Sequence, residues 1–225
     1  GSGLVGSEMC IRDRCMVSAA LLLFIFVLLF SSVVYYFCKK LIYKLNKRVL
    51  ARNLAVIKNG PTLKKYNELD KSEKIEKLVI PFFMVMGYNT YDMREFVRVN
   101  KNASFAPDFV TKKWDKSKLR KKSLYIKYAD FTEDDIDLNN KTLKCINRSD
   151  CDLDELMNPL YFQGEFVVLT NGYLYLFFSK NRVKGSFNYS TFFNLKNYGK
   201  NDIAELAYFT KQCMFLEVSD VFSAC

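Results

Sequence analysis

Between Lys112 and Lys122, seven cations (Lys112, Lys113, Lys116, Lys118, Arg120, Lys121 and Lys122) are opposed by one acid, Asp115. Cations clustered in this way gain affinity for a phosphate backbone by releasing its counterions. Trp114 inside the run and Tyr125 just after it offer faces on which bases stack. The plainer alternative is a solvated basic hairpin. A run rich in acids follows from Asp130 to Glu155, with Glu133, Asp134, Asp135, Asp137, Asp150, Asp152 and Asp154. A solvated loop with a short helix at its end accounts for it; a cation-binding loop is the competing reading, although D-x-[DN]-x-[DN]-G spacing is absent. Histidine is missing from all 225 residues. That excludes Ser–His–Asp and Cys–His machinery, an H-E-x-x-H zinc site and any His-based nuclease. The nine glycines show neither G-x-G-x-x-G nor G-K-[ST] spacing, so no phosphate loop is present. Chemistry is left to carboxylates, lysine, a bound cation or a cysteine.

The elements that must position these groups are read from period and punctuation. Lys39 to Ile57 reads as a helix with Ile42, Leu45, Val49 and Val56 along one face, stopped by Asn59-Gly60-Pro61. A second helix starts at Asp70-Lys71-Ser72-Glu73, which has capping-box spacing, and carries Ile75, Leu78, Val79, Phe82 and Met86 at helical period. Pro81 is expected to kink it and Gly87 to end it. Tyr88 to Val99 reads as a short strand or loop, Phe105 to Thr111 as a strand, and Ser123 to Tyr128 as another. In that last strand Leu124 and Ile126 share one face, and Tyr125 and Lys127 the other. Phe166 to Phe178 holds two β-rich runs flanking Asn171-Gly172, the preferred pair for a tight type I′ turn. Asn201 to Gln212 reads as a last helix. Helices and strands in this order give a small sheet flanked by helices, an α/β (α+β) fold.

Upstream lies a different kind of segment. Val17 to Cys38 contains no charge and, at about 22 residues and roughly 33 Å, is long enough to cross a hydrocarbon core. A buried helix and a cleaved signal peptide compete with a membrane anchor. The run exceeds a signal peptide's apolar core and ends in Tyr35, Tyr36 and Phe37, which favours an uncleaved anchor. Lys39, Lys40, Lys44, Lys47, Arg48, Arg52 and Lys58 follow it, whereas Arg12 and Arg14 before it are offset by Glu8 and Asp13. The positive-inside rule then sets a single-pass protein with its C-terminal domain in the cytoplasm, its basic flank near anionic lipid. Residues 1–15 read as translated adapter sequence with a native start at Met16. The organisation is a leader (1–15), a transmembrane helix (16–38), a basic juxtamembrane helix and linker (39–69), and one domain (70–225). The seven cysteines lack C-x-x-C spacing, and Cys145, Cys151, Cys213 and Cys225 read as free thiols of a reducing compartment, with a Cys145–Cys151 disulfide as the alternative.

Four segments, Glu76 to Asp92, Phe166 to Lys180, Ser190 to Asn197 and Asp202 to Met214, resemble in order and spacing the N-terminal nuclease domain of type I restriction enzyme R subunits. The resemblance implies a PD-(D/E)xK core in which an Asp on one strand and an acid-x-Lys on the next serve a Mg²⁺ ion. The ion polarises the phosphate and activates water. Pro107-Asp108 stands where the family has its first Asp, which makes Asp108 the candidate metal ligand. The second strand departs from the pattern: it reads Tyr125-Ile126-Lys127-Tyr128-Ala129, with Lys127 in the acid's place and Ala129 in the lysine's. The family's acid upstream of the first strand is also missing, with Val99-Asn100 in that region.

A cation where a carboxylate belongs repels Mg²⁺. The expectation is therefore a membrane-anchored, catalytically degenerate nuclease-like domain that still binds DNA or other nucleic acid through the basic run. Two alternatives stand beside it. One is an active Mg²⁺-dependent endonuclease with a migrated site, its catalytic residues drawn from Asp108, Lys127 and Asp130, with Glu73 or Glu76 adding an oxygen. The other is a non-enzymatic module that meets protein or anionic lipid at the membrane surface.

Overall fold

The computed structural model describes residues 5–99, 107–111, 124–137, 142–143, 166–180 and 187–215. The basic run Lys112–Lys122, most of the acidic run, Cys145, Cys151 and Cys225 lie outside them. The chain divides into two compact units, the first ending at Leu45 and the second beginning at Asn46. Helix α1 covers Val5–Asn59, and its residues from Leu21 onward form the one helix among those described that is long and apolar enough to cross a membrane. The apolar side chains of its first part, Leu21 to Phe37, are exposed throughout. Ser31 and Ser32 donate their hydroxyls to the carbonyls of Leu28 and Leu29, so the polar groups within the apolar stretch are satisfied by the helix itself.

In the second unit α1 buries a different stripe from the one expected. Val49 and Val56 are exposed, whereas Leu50 and Leu54 are buried. The two stripes are both apolar and lie one residue apart in phase, so period alone does not choose between them. The helix stops at Asn59 as expected, and Pro61 opens the short α2 (Pro61–Lys64).

The second helix begins on its expected cap. Asp70 Oδ1 accepts from the Glu73 N–H at 2.7 Å, and Glu73 Oε2 accepts from the Asp70 N–H at 3.3 Å. Helix α3 (Lys71–Lys74) then widens into a π-helical turn (Ile75–Val79) before α4 (Ile80–Val85). Pro81 lacks a donor and its ring crowds the carbonyl four residues back, so the helix accommodates it by a wide turn just upstream. Gly87, at φ +91°, ends α4, and the Tyr88 N–H reaches back to the Phe83 carbonyl at 3.0 Å.

A six-stranded mixed sheet follows. Its strands are β1 (Phe96–Arg98), β2 (Phe109–Thr111), β3 (Leu124–Tyr128), β6 (Phe166–Thr170), β7 (Leu174–Lys180) and β8 (Phe187–Asn194), and they lie side by side in that order. Only β3 and β6 run parallel; every other pair is antiparallel. Strands β4 (Ile136–Asp137) and β5 (Thr142–Leu143) form a separate small hairpin. One face of the sheet meets the helices through rings: Phe82 stacks on Tyr175 at 3.7 Å, Phe83 lies 6.0 Å from Phe96, and Phe177 lies 4.4 Å from Phe209. The other face is covered by Ala129, Phe131 and Ile136, packed over Val167, Leu169, Leu174, Leu176 and Phe178.

Two expectations shift in detail. The β6–β7 turn is closed by Asn171 and Leu174, so its centre is Gly172-Tyr173 rather than Asn171-Gly172. Buried Asn171 closes it with its side chain, its Oδ1 accepting from the N–H groups of Tyr173 and Leu174 and its Nδ2 donating to the Phe131 carbonyl. The terminal helix is two helices, α5 (Lys200–Ala207) and α6 (Lys211–Phe215). Between them the N–H groups of Tyr208, Phe209 and Thr210 bond three residues back, a tightening that brings Phe209 under the sheet.

Candidate functional site

Asp108 opens β2. Its N–H donates to the Ile126 carbonyl at 2.9 Å, and its Oδ2 accepts from the Tyr128 N–H at 2.7 Å. The residue bracketed by these two bonds is Lys127. Strand alternation puts Lys127 on the same face as Tyr125 and Ala129, under the Phe131 and Ile136 cover, and it is 8 % exposed. Asp130 lies just past the strand, exposed, where its Oδ1 accepts from the Tyr128 hydroxyl at 3.1 Å. Of the sequence-derived trio, Asp108 and Asp130 thus both bond Tyr128, one at its backbone N–H and the other at its hydroxyl, at the end of the sheet where β2 begins and β3 ends. Strand alternation puts the Lys127 side chain on the face opposite the Tyr128 ring.

Other expected contributors are engaged elsewhere. Glu73 is used up by its cap and by Lys77, whose Nζ lies 2.5 Å from Oε1. Among the described residues no three Asp, Glu or Cys side chains come together in a group able to hold a metal ion. Within the trio Asp108 and Asp130 are the only carboxylates, each already accepts a bond, and buried Lys127 lies between the two backbone contacts of the first.

The same end of the sheet holds a second set of residues that the sequence did not single out. Tyr66, between α2 and α3, donates its hydroxyl to the Asn171 carbonyl at 2.8 Å and meets Tyr173 edge to face at 4.7 Å. The Lys74 ammonium sits 4.3 Å from the centre of the Tyr66 ring, and that of Lys196, just past β8, sits 4.6 Å from it and 3.8 Å from that of Tyr173. Lys71 covers Tyr128 at 5.4 Å. Glu133 completes the rim, accepting from Asn194 Nδ2 at 2.7 Å.

Electrostatics follow from this crowding. Burial first, then the nearby Tyr173 and Asp130, push the Tyr66 phenol up to about 12. Burial and the same neighbourhood, Tyr66 and Asp130, raise Tyr128 further still. Burial holds the Lys196 ammonium below the usual lysine range; the Lys74 charge adds to this and Glu133 opposes it. No local sequence signal marks these residues, because Tyr66, Tyr173 and Lys196 come from three separate loops. Only the turn at Gly172 was visible, and it is this turn that packs on Tyr66 and Lys74.

No family model, curated protein or solved structure matches the chain.

Proposed function

We propose that this chain is a membrane-anchored, nuclease-like domain that has lost its metal centre and binds nucleic acid. The observation that carries the reading is Asp108 at the start of β2, bonded on either side of Lys127. An acid beginning one strand and facing the next is the arrangement implied by the resemblance to type I restriction enzyme R subunits. The mixed sheet with helices against it is in keeping with that resemblance. Lys127 supports the loss of catalysis, since a buried lysine opposite Asp108 across the strands stands where a carboxylate is wanted, and Mg²⁺ wants carboxylates plus substrate oxygens. The donor set does not fit that ion. The basic run from Lys112 to Lys122 supplies the affinity for phosphate, and the apolar part of α1 holds the domain at the membrane on the side of its basic flank, the cytoplasm.

The test uses the full chain in a neutral detergent micelle. A labelled DNA oligonucleotide is titrated at several salt concentrations, and supercoiled plasmid is incubated with Mg²⁺ or Mn²⁺. The reading expects binding that weakens steeply with salt and no metal-dependent nicking. Absence of binding at low salt removes the nucleic-acid reading. Nicking that disappears in Asp108→Ala would establish an active enzyme instead.

A further inference from the structure

Lys71, Lys74 and Lys196 gather at one end of the sheet; the remaining lysine over a tyrosine ring among the described residues, Lys58 on Tyr198, is on another element. Each of the three is laid over a tyrosine ring, and among the described residues none of them forms an ion pair. Lys74 and Lys196 flank one ring, that of Tyr66, so their nitrogens are no further apart than the two ring distances combined. Holding like charges this close costs free energy in the absence of an anion. The acids on the rim do not cancel them by contact: Asp130 is taken by the Tyr128 hydroxyl and Glu133 by Asn194. An ammonium resting on a ring turns its remaining N–H groups outward, where they suit phosphate oxygens.

We infer that Lys71, Lys74 and Lys196, held over Tyr128, Tyr66 and Tyr173, form a rim that grips the phosphodiester backbone of a nucleic acid at the sheet end beside Asp108. The inference rests on the proposed function and goes further by naming a contact surface separate from the basic run. It also assigns the mode of contact. The tyrosines serve the lysines as supports, so the rim reads backbone charge and is indifferent to bases.

The experiment compares the full chain in neutral detergent with Lys74→Gln/Lys196→Gln, using labelled oligo-dT and an abasic oligomer of the same length. The double variant is expected to bind both oligomers roughly tenfold more weakly at low salt. Its log–log salt dependence should be shallower by about 1.4, the share of two phosphate contacts on a single strand. Lys74→Arg/Lys196→Arg should restore both. Wild-type binding with unchanged affinity and salt slope in the double variant overturns the rim and leaves the proposed function standing; no binding by the wild type overturns both. Should the double variant melt early, Lys71→Gln, at an exposed side chain, is read in its place: a slope equal to wild type overturns the rim and a shallower one supports it.

Discussion

At Asp108 a side chain does what a backbone carbonyl does further along the strand: its Oδ2 takes the Tyr128 N–H that would otherwise end the ladder unpaired. This makes a structural prediction that differs from the chemical one. Asp108→Ala should destabilise the domain by about 1–2 kcal/mol in a denaturant titration, because a strand-end donor loses its acceptor. Asp108→Asn keeps an acceptor and should cost well under half as much. If instead the two variants melt together, the carboxylate's bond contributes nothing to the fold. Tyr66 offers a second residue-scale test, this time in pH. Its phenol ionises near 10.0 when unfolded and is pushed up to about 12 in the fold. Folding favours the neutral form, so the stabilisation is complete below pH 10 and is lost as pH climbs from 10 towards 12. Tyr66→Phe should flatten the fall of the melting temperature over that window. Tyrosinate absorbance should show a late fraction among the 14 tyrosines, since burial also raises Tyr88, Tyr128 and Tyr175.

Elements with local signatures were legible: the capping box at Asp70, the stop at Gly60-Pro61, the αL glycine at Gly87, the strands around Ile126 and Val168, and the β6–β7 hairpin. Each depends on chemistry within a few residues. What escaped depended on contacts distant in sequence. The buried face of α1 is one case, for the chain carries two apolar stripes and tertiary packing selects Leu50 and Leu54. Leu54→Ala should therefore cost about 2–5 kcal/mol, and Val49→Ala should stay within about 0.5 kcal/mol, in thermal or denaturant melts. Equal losses would mean that the helix packs on its other face. The break between α5 and α6 is another case: helical period runs straight through it, and the break goes with distant contacts, the rings on Phe209, the Tyr88 hydroxyl on its carbonyl and the Met86 carbonyl on the Lys211 N–H. The candidate site divides the same way. Asp108, Lys127 and Asp130 could be named because the family resemblance pointed to them. The lysine–tyrosine rim instead draws Lys71 and Lys74 from α3, Tyr128 from β3, and Tyr66, Tyr173 and Lys196 from separate connections, and left no trace in any one segment. At Gly172, φ +105° sets a further expectation: Gly172→Ala should cost about 1–2 kcal/mol through the backbone alone, since an added Cβ would meet Leu78, Lys74 and Tyr66 at ordinary contact distance.

At the scale of the whole molecule, an apolar helix precedes a mixed α+β domain whose two sheet faces are both covered. The proposed anchor predicts that the full chain stays with membranes through alkaline carbonate extraction and that deleting 17–38 releases it. A C-terminal reporter that works only in the cytoplasm should be active. Extraction of the intact chain, or a silent reporter with a stable fusion, counts against the anchor or its orientation respectively. The domain's closure has a further consequence. The Lys211 N–H bonds the Met86 carbonyl at 3.0 Å, and the Tyr88 hydroxyl bonds the Phe209 carbonyl at 3.0 Å, so the last helices fasten onto the end of α4. A ribosome adding ~5–20 residues per second needs roughly 6–25 s to travel from one partner to the other. Throughout that interval the apolar segment has already emerged and the rings of Phe82 and Phe83 have no complete core to enter. Folding therefore completes only when the final two helices arrive, and until then the aromatic face of the domain is left without its cover.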